Sequence, residues 1–346
     1  MAKLSGKESK TGKQPALKEK TQASTSSVTE EVMNEIKRSM EGKTFQTVED
    51  LRAFLSTLTD AGNLPDKEDA AADARDQAQD LAFDAMEAAS AAQARKLAKR
   101  ALALDPDCVD ALVVLNSLDA RTPAKAIEGL KRAVAAGERA LGGKFTKDNK
   151  GHFWLIIETR PYMRALEELA NMLRGQGRHS EAIETYEKML DLNPNDNQGV
   201  RDPLLGLYLA TGNLTGAGKL LKRYKDDAMA NFSWARVLER FLSSDRTGAA
   251  TALKAARKGN RFVELYMSGK KAAPKKLPEM YSPGSEEEAI LCVDMLASAW
   301  AAHPEAVLWL ATQVQEEELQ AKILKMTPSD KKATPSGTSR KKKTTS

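Results

Sequence analysis

A chain whose small and large apolar residues return in the same order about every 34 residues has few folds open to it. The stretch Met163 to Pro194, MRALEELANMLRGQGRHSEAIETYEKMLDLNP, shows the order most fully. Leu166, Leu169, Ala170 and Leu173 stripe one helix, Gly177 ends it, and Ala182, Ile183, Tyr186, Met189 and Leu190 stripe a second, which closes at Asn193-Pro194. Ala170 and Ala182 let the two helices approach, Gly177 supplies the turn, and Pro194 stops the second helix. A helical hairpin follows, with a repeat's spacing.

Alanine, leucine, glutamate and lysine abound while aromatics make up 5% of the 346 residues, so the chain is expected to be all-α. The lysine-rich N-terminus is followed by no apolar segment, and no run approaches the roughly 20 apolar residues of a membrane span, so neither span nor secretory signal is expected. Cys108 and Cys292 sit in helical patterns with no metal spacing and read as small packing residues. The net charge of +5 divides unevenly: residues 1–27 carry +4 and residues 325–346 carry +6, leaving the body near −5.

Residues 1–27 and 327–346 are expected to be disordered basic tails. Residues 28–65 read as a two-helix module: Ser27-x-x-Glu30 opens a helix with Val28, Val32, Ile36 and Met40, and Thr47-x-x-Asp50 opens one with Val48, Leu51, Phe54, Leu55 and Leu58. Residues 66–267 hold the repeats. Ala78, Leu81, Ala82 and Ala85 pair with Ala94, Ala98 and Ala101; Asp110, Ala111, Val114 and Leu118 pair with Ala126, Ile127, Leu130, Ala133 and Val134. A polar loop is expected from Gly143 to Gly151, ahead of HFWLIIETRPYMRAL at 152–166, the densest aromatic and polar mixture in the chain. After the opening hairpin, Leu204, Leu205, Tyr208, Gly212, Ala217 and Leu221 stand 35 residues beyond their counterparts. A weaker unit follows with Trp234, Val237, Leu238 and Phe241, then Ala249, Ala250, Leu253 and Ala256. Residues 268–284 form a Lys/Pro-rich linker, and residues 285–326, opened by Ser285-x-x-Glu288, a helical cap.

The pattern resembles the tetratricopeptide repeat, on whose signature positions Leu166, Leu169, Ala170, Leu173, Ala182, Tyr186 and Pro194 fall; Met189 departs, where alanine is usual. The resemblance implies a right-handed superhelical solenoid of about five antiparallel helix hairpins whose first helices line a concave face. Three stretches, GHFWLIIETRPYMRAL, LNPNDNQGVR and YSPGSEEEA followed by a Trp300 helix, resemble in order and spacing bacterial relatives of the suppressor-of-tumorigenicity-7 family over residues 75–310. That likeness implies a scaffold and no reaction.

Such faces hold an extended peptide or partner helix, so a protein partner is expected. The best-known groove of the repeat clamps a carboxylate with basic and amide side chains; here Glu167 occupies the lysine position, Asn171 keeps the asparagine, and Asp202-Pro203 follow, so Glu167 and Asp202 would repel that ligand. Arg160, Tyr162, Arg164, Glu167, Asn171 and Arg174, with Asn197, Gln198 and Arg201, are the expected partner-binding residues. The competing reading makes them glue between repeats: Asn195 or Asp196 serving the next helix's N-terminus, and Arg160 or Arg201 holding loops through Glu158 or Asp202.

His152, Glu158 and Tyr162 could form an acid/base set, but no nucleophile, metal spacing or phosphate-cradling loop accompanies them, so no enzyme, cofactor or metal is expected. His152 reads as packed or capping, His179 and His303 as solvated. The alternative function is polyanion binding: the basic tails could contact nucleic acid without reading its sequence. A cytoplasmic protein is expected, or a nuclear one if RKKKTTS at 340–346 serves as an address in a host with a nucleus. Nothing in the sequence sets the oligomeric state.

Overall fold

In the computed structural model the described residues are 20–40, 42–60 and 73–326, and within them the chain is an all-α helical repeat without strands. The tails expected at 1–27 and 327–346 otherwise lie outside those residues, although α1 (Lys20–Met40) already begins at Lys20. α2 (Val48–Asp60) opens on a reciprocal cap, Asp50 N to Thr47 Oγ1 at 3.0 Å and Thr47 N to Asp50 Oδ2 at 3.0 Å.

The hairpins follow in order: α3 (Ala74–Glu87) with α4 (Ala91–Leu104), then α5 (Val109–Asp119) with α6 (Pro123–Leu141). Asp73, Ser90 and Thr122 cap α3, α4 and α6 through their side-chain oxygens, and Pro123 sits in the first turn of α6, where its missing N–H is not needed. The loop expected at Gly143 to Gly151 contains a short helix, α7 (Gly143–Asp148): beyond Gly142, at φ +76°, the chain re-enters helix, with Thr146 Oγ1 bonded to Gly142 O and Lys144 paired with Asp148 one turn on. Two 3-10 turns, Phe153–Leu155 and Ile157–Thr159, lead into α8 (Arg160–Gly175), which pairs with α9 (His179–Leu192). α10 (Arg201–Ala210) and α11 (Leu214–Arg223), then α12 (Ala230–Leu242) and α13 (Arg246–Gly259), are the last two hairpins.

The last three hairpins share one turn. Arg178 N bonds Leu173 O at 2.9 Å, Asn213 N bonds Tyr208 O at 2.8 Å, and Asp245 N bonds Arg240 O at 3.0 Å, each closing the helix end with the residue before it in the left-handed region. Gly177 and Gly212 adopt that conformation freely; Ser244, at φ +61°, holds it without glycine's freedom, in the unit whose repeat pattern is weakest.

α14 (Val263–Met267), α15 (Glu286–Ala301) and α16 (Pro304–Met326) complete the described chain. The molecule divides into two compact units, Met1–Leu204 and Leu205–Ser346. In the first, Ala78, Ala82, Ala98, Ala101 and Ala111 are fully buried and bring α3, α4 and α5 into close contact; Ile127, Leu130, Phe153, Met163, Leu166, Leu173, Tyr186 and Met189 extend that core. In the second, Phe232, Trp234, Leu238, Leu253, Leu296 and Trp300 are buried, and α15 packs on α12 and α14. His303, expected in solvent, is half-buried there with Nε2 2.9 Å from Leu209 O. Cys108 and Cys292 are buried thiols, and burial pushes the Cys108 thiol up to about 12.

Candidate functional site

Within the first unit the first helices of three successive hairpins, α3, α5 and α8, pack side by side, and α1 lies against α3 and the turn that precedes α8. A helix turns 100° per residue, so Glu30, Asn34, Lys37 and Arg38 share one face of α1. That polar face is turned toward the repeats. Glu30 Oε2 accepts from Arg164 Nη1 of α8 at 2.6 Å, and Arg164 Nη2 also binds Asp110 Oδ2 of α5 at 2.6 Å. Gln79 Nε2 of α3 donates to the same Asp110 oxygen at 2.7 Å. Arg160 Nη1 stands 3.6 Å from Glu30 Oε1, while its Nε donates to Trp154 O at 3.1 Å and its guanidinium lies over the Trp154 ring.

Two turns along α1, Arg38 reaches back to α3 and grips Asp80 with both terminal nitrogens, Nη2 to Oδ1 at 2.9 Å and Nη1 to Oδ2 at 3.1 Å. Lys37 pairs with Glu158 in the turn before α8. Glu30 and Asp110 are among the most buried charges in the described residues, their side chains 2% and 1% exposed, and Arg164 between them is 24% exposed.

Burial alone would lower the Arg164 pKa, but Asp110 and Glu30 outweigh it and hold the guanidinium above its ordinary value. Arg38 is raised in the same way, Asp80 overriding burial. Burial would raise the Glu158 carboxyl, yet the Lys37 hydrogen bond keeps it below its usual range. Asp76 on α3 moves oppositely, raised by burial and then by Asp73. Beside α1 lies a cavity of about 300 Å³ lined by Glu30, Lys37, Asp76, Gln79, Glu158 and Tyr162, among others.

The expected partner-binding residues divide by position. Arg160 and Arg164 meet α1. Tyr162 is buried, its ring seated where Gly137 of α6 carries no side chain, its hydroxyl 3.3 Å from Glu138 Oε1. Glu167 accepts from Gln198 Nε2 at 2.6 Å, and Gln198 also donates to Met163 O. Asn171, exposed, accepts from the Tyr186 hydroxyl at 2.6 Å through Oδ1, and half-exposed Arg174 lies near the same tyrosine. Arg201 is tied to Asp196 at 3.0 Å, and Asp196, at φ +53°, also accepts from the Val200 and Arg201 backbone N–H groups. Asn197 is exposed beside it. The structure therefore brings Arg160 and Arg164 to one surface and engages most of the others in contacts between and within the repeats.

Glu30, Arg38, Gln79, Asp80 and Asp110 complete the α1 contact; Ser27-x-x-Glu30, expected to open the helix, lies inside α1, where Glu30 binds Arg164, and the other four carry no motif. Their signal is weak: charges at i and i+8 on one helix, and an acidic residue in the first turn of α5. His152 is exposed, caps nothing with its side chain and lines no part of the cavity that Glu158 and Tyr162 share. Among the described residues no His, Cys, Asp or Glu group is placed to hold a metal, and no helix is long and apolar enough to cross a membrane.

A family model described as Tetratricopeptide repeat matches residues 173–240, which run from the end of α8 into α12. Those residues are similar to tetratricopeptide-repeat sequence. The α1-bearing face comes mostly before the matched residues in the chain. No curated protein matches the chain.

Proposed function

We propose that the protein is a non-catalytic adaptor that binds a partner helix on the face formed by α3, α5 and α8. Tetratricopeptide repeats generally mediate protein–protein contact, and that face already holds a helix by ion pairs from α3 and α8, with Asp110 of α5 bracing Arg164 behind them, which is the observation that carries the reading. Arg160 and Arg164 are the proposed partner-binding pair, with Asp80 as the opposite pole. Tyr162, Glu167, Asn171, Arg174, Gln198 and Arg201 contribute by fixing α8, α9 and the loop that follows them, and Asn197 offers an amide at the edge. The narrower likeness to bacterial relatives of the suppressor-of-tumorigenicity-7 family agrees with a scaffold, and a cytoplasmic site of action is proposed with it.

The test is affinity capture with full-length protein against Arg160→Ala/Arg164→Ala and against a version lacking residues 1–19 and 327–346. Partners lost with the arginines and kept without the tails support the reading. Partners lost only with the tails, in a salt-dependent way, favour polyanion binding instead.

A further inference from the structure

α1 is attached in an unusual manner for a helix of a folded unit. An amphipathic helix ordinarily buries its apolar stripe. Here the fully buried side chain in the described part of α1 is Glu30, while Val32 and Ile36 are only half-buried and Met33 is exposed. Attachment rests on charges at the two ends of the contact, Glu30 with Arg164 and Arg38 with Asp80. Both ends are incomplete: Glu30 Oε1 and Arg38 Nε are buried with no hydrogen-bond partner, since Arg160 Nη1 stops 3.6 Å from the former. Buried polar atoms left unsatisfied are disfavoured, so α1 is an imperfect occupant of the face it covers.

We infer that α1 is a tethered pseudo-ligand which shields this face until a partner displaces it, and that the partner is a helix repeating α1's charge order: a carboxylate toward Arg160 and Arg164, then a cation two turns on, about 12 Å along the axis, toward Asp80. The inference rests on the proposed function and adds its regulation. Tethering keeps α1 at high effective concentration, so a free helix of equal intrinsic affinity loses the competition. A partner that satisfies Glu30's neighbours Arg160 and Arg164 together makes contacts that α1 does not.

The probe is a fluorescein-labelled synthetic peptide spanning residues 27–42 of this chain, followed by anisotropy against full-length protein. Wild type and Glu30→Ala/Arg38→Ala are compared. Freeing the face raises the apparent affinity by the reciprocal of the fraction that was open, and a gain of about tenfold or more is expected for the double variant. Because Glu30→Ala removes one of the two carboxylates that hold Arg164, Arg38→Ala alone is measured beside it; it leaves the Arg164 cluster whole and is expected to gain about threefold. Adding Asp80→Ala to either variant should abolish the gain. Equal binding to wild type and both variants overturns the shielding while leaving the face as a helix-binding surface. Binding to none of them, with folded variants by circular dichroism, overturns the helix-binding face itself.

Discussion

Each unit buries carboxylates between helices, and the two satisfy them in opposite ways. In the second unit Glu288 accepts only neutral donors: Ala230 N at the start of α12 at 2.9 Å, Asn260 Nδ2 beyond α13 at 2.9 Å, and Gly284 N at 2.6 Å. Asn260 is fixed in turn, donating to Ser285 O and accepting from Phe262 N, and its carbonyl takes the Trp234 indole N–H at 3.1 Å. In the first unit Glu30 and Asp110 face guanidinium groups, and the chain they tie down is a single helix with half-exposed apolar residues. The donors around Glu288 lie at the start of α12, just beyond α13 and just before α15, beside the buried Trp234 and Trp300 of α12 and α15, so that carboxylate stitches an interior. The ion pairs around Arg164 and Arg38 hold a single helix, and the exposed pair of that contact, Lys37 with Glu158, is the one that salt screens most. On the proposed reading the contact in the first unit is the one that opens, whereas Glu288 in the second lies among buried neighbours.

The largest effect that would sharpen this contrast is expected from Arg164→Ala. It leaves two almost fully buried carboxylates without their cation, at about 3–5 kcal/mol, and should show as a lower denaturant midpoint for the first unit with the Trp234 environment of the second unchanged. Glu288→Ala strands the buried Ala230 N–H and the half-buried Gly284 N–H, while Asn260 Nδ2 keeps Ser285 O. At roughly 1–3 kcal/mol, it should lower the second unit's midpoint and leave α1's hydrogen exchange untouched. If Glu288→Ala loosens α1, the two contacts are not independent.

Gly137→Ala is next. A Cβ there would stand 2.6 Å from Tyr162 Cδ2, a backbone-borne clash with a buried ring that costs about 1–3 kcal/mol, read by thermal unfolding. The smallest effect is pH. Glu158 is held below its ordinary value, so its pairing with Lys37 is complete above that value, near 4.5, and is lost as pH falls through the depressed one. Asp76, raised above its ordinary value of 3.8, has the opposite sign: its contribution is complete below that value and is lost as pH rises through the raised one. Loosening of α1, followed by exchange, should therefore be confined to acid and be slight.

The repeats were legible because their signal is steric and periodic. Ala82, Ala98 and Ala111 are small where helices touch, and all three are fully buried; Gly177 and Gly212 stand where a left-handed residue ends a helix. Thr47 and Ser285 were legible for the same kind of reason, since a cap is local: Ser285 Oγ accepts from Glu288 N at 3.2 Å as the spacing predicts. The other half of that box was not. Glu288 turns away from the Ser285 backbone toward Ala230, Asn260 and Gly284, partners set by packing over long sequence distances. α1 shows the same limit. Glu30 reads as half of a capping box with Ser27 and Arg38 as a solvated helix residue, and nothing in their spacing announces Asp80 or Arg164, 42 and 134 residues away. Tyr162 and Arg164 stand two apart on α8, and only the placement of α6 and α1 decides that one is buried and the other meets a carboxylate.

Backbone amide exchange of α1 in full-length wild type and in Arg38→Ala tests the central claim most directly. Residues 29–40 should lose protection in the variant while α8 and the Glu288-bearing α15 keep theirs. Protection of α1 that is unchanged by the substitution, or lost only together with that of α8, would show the helix to be a fixed part of the fold and contradict the account.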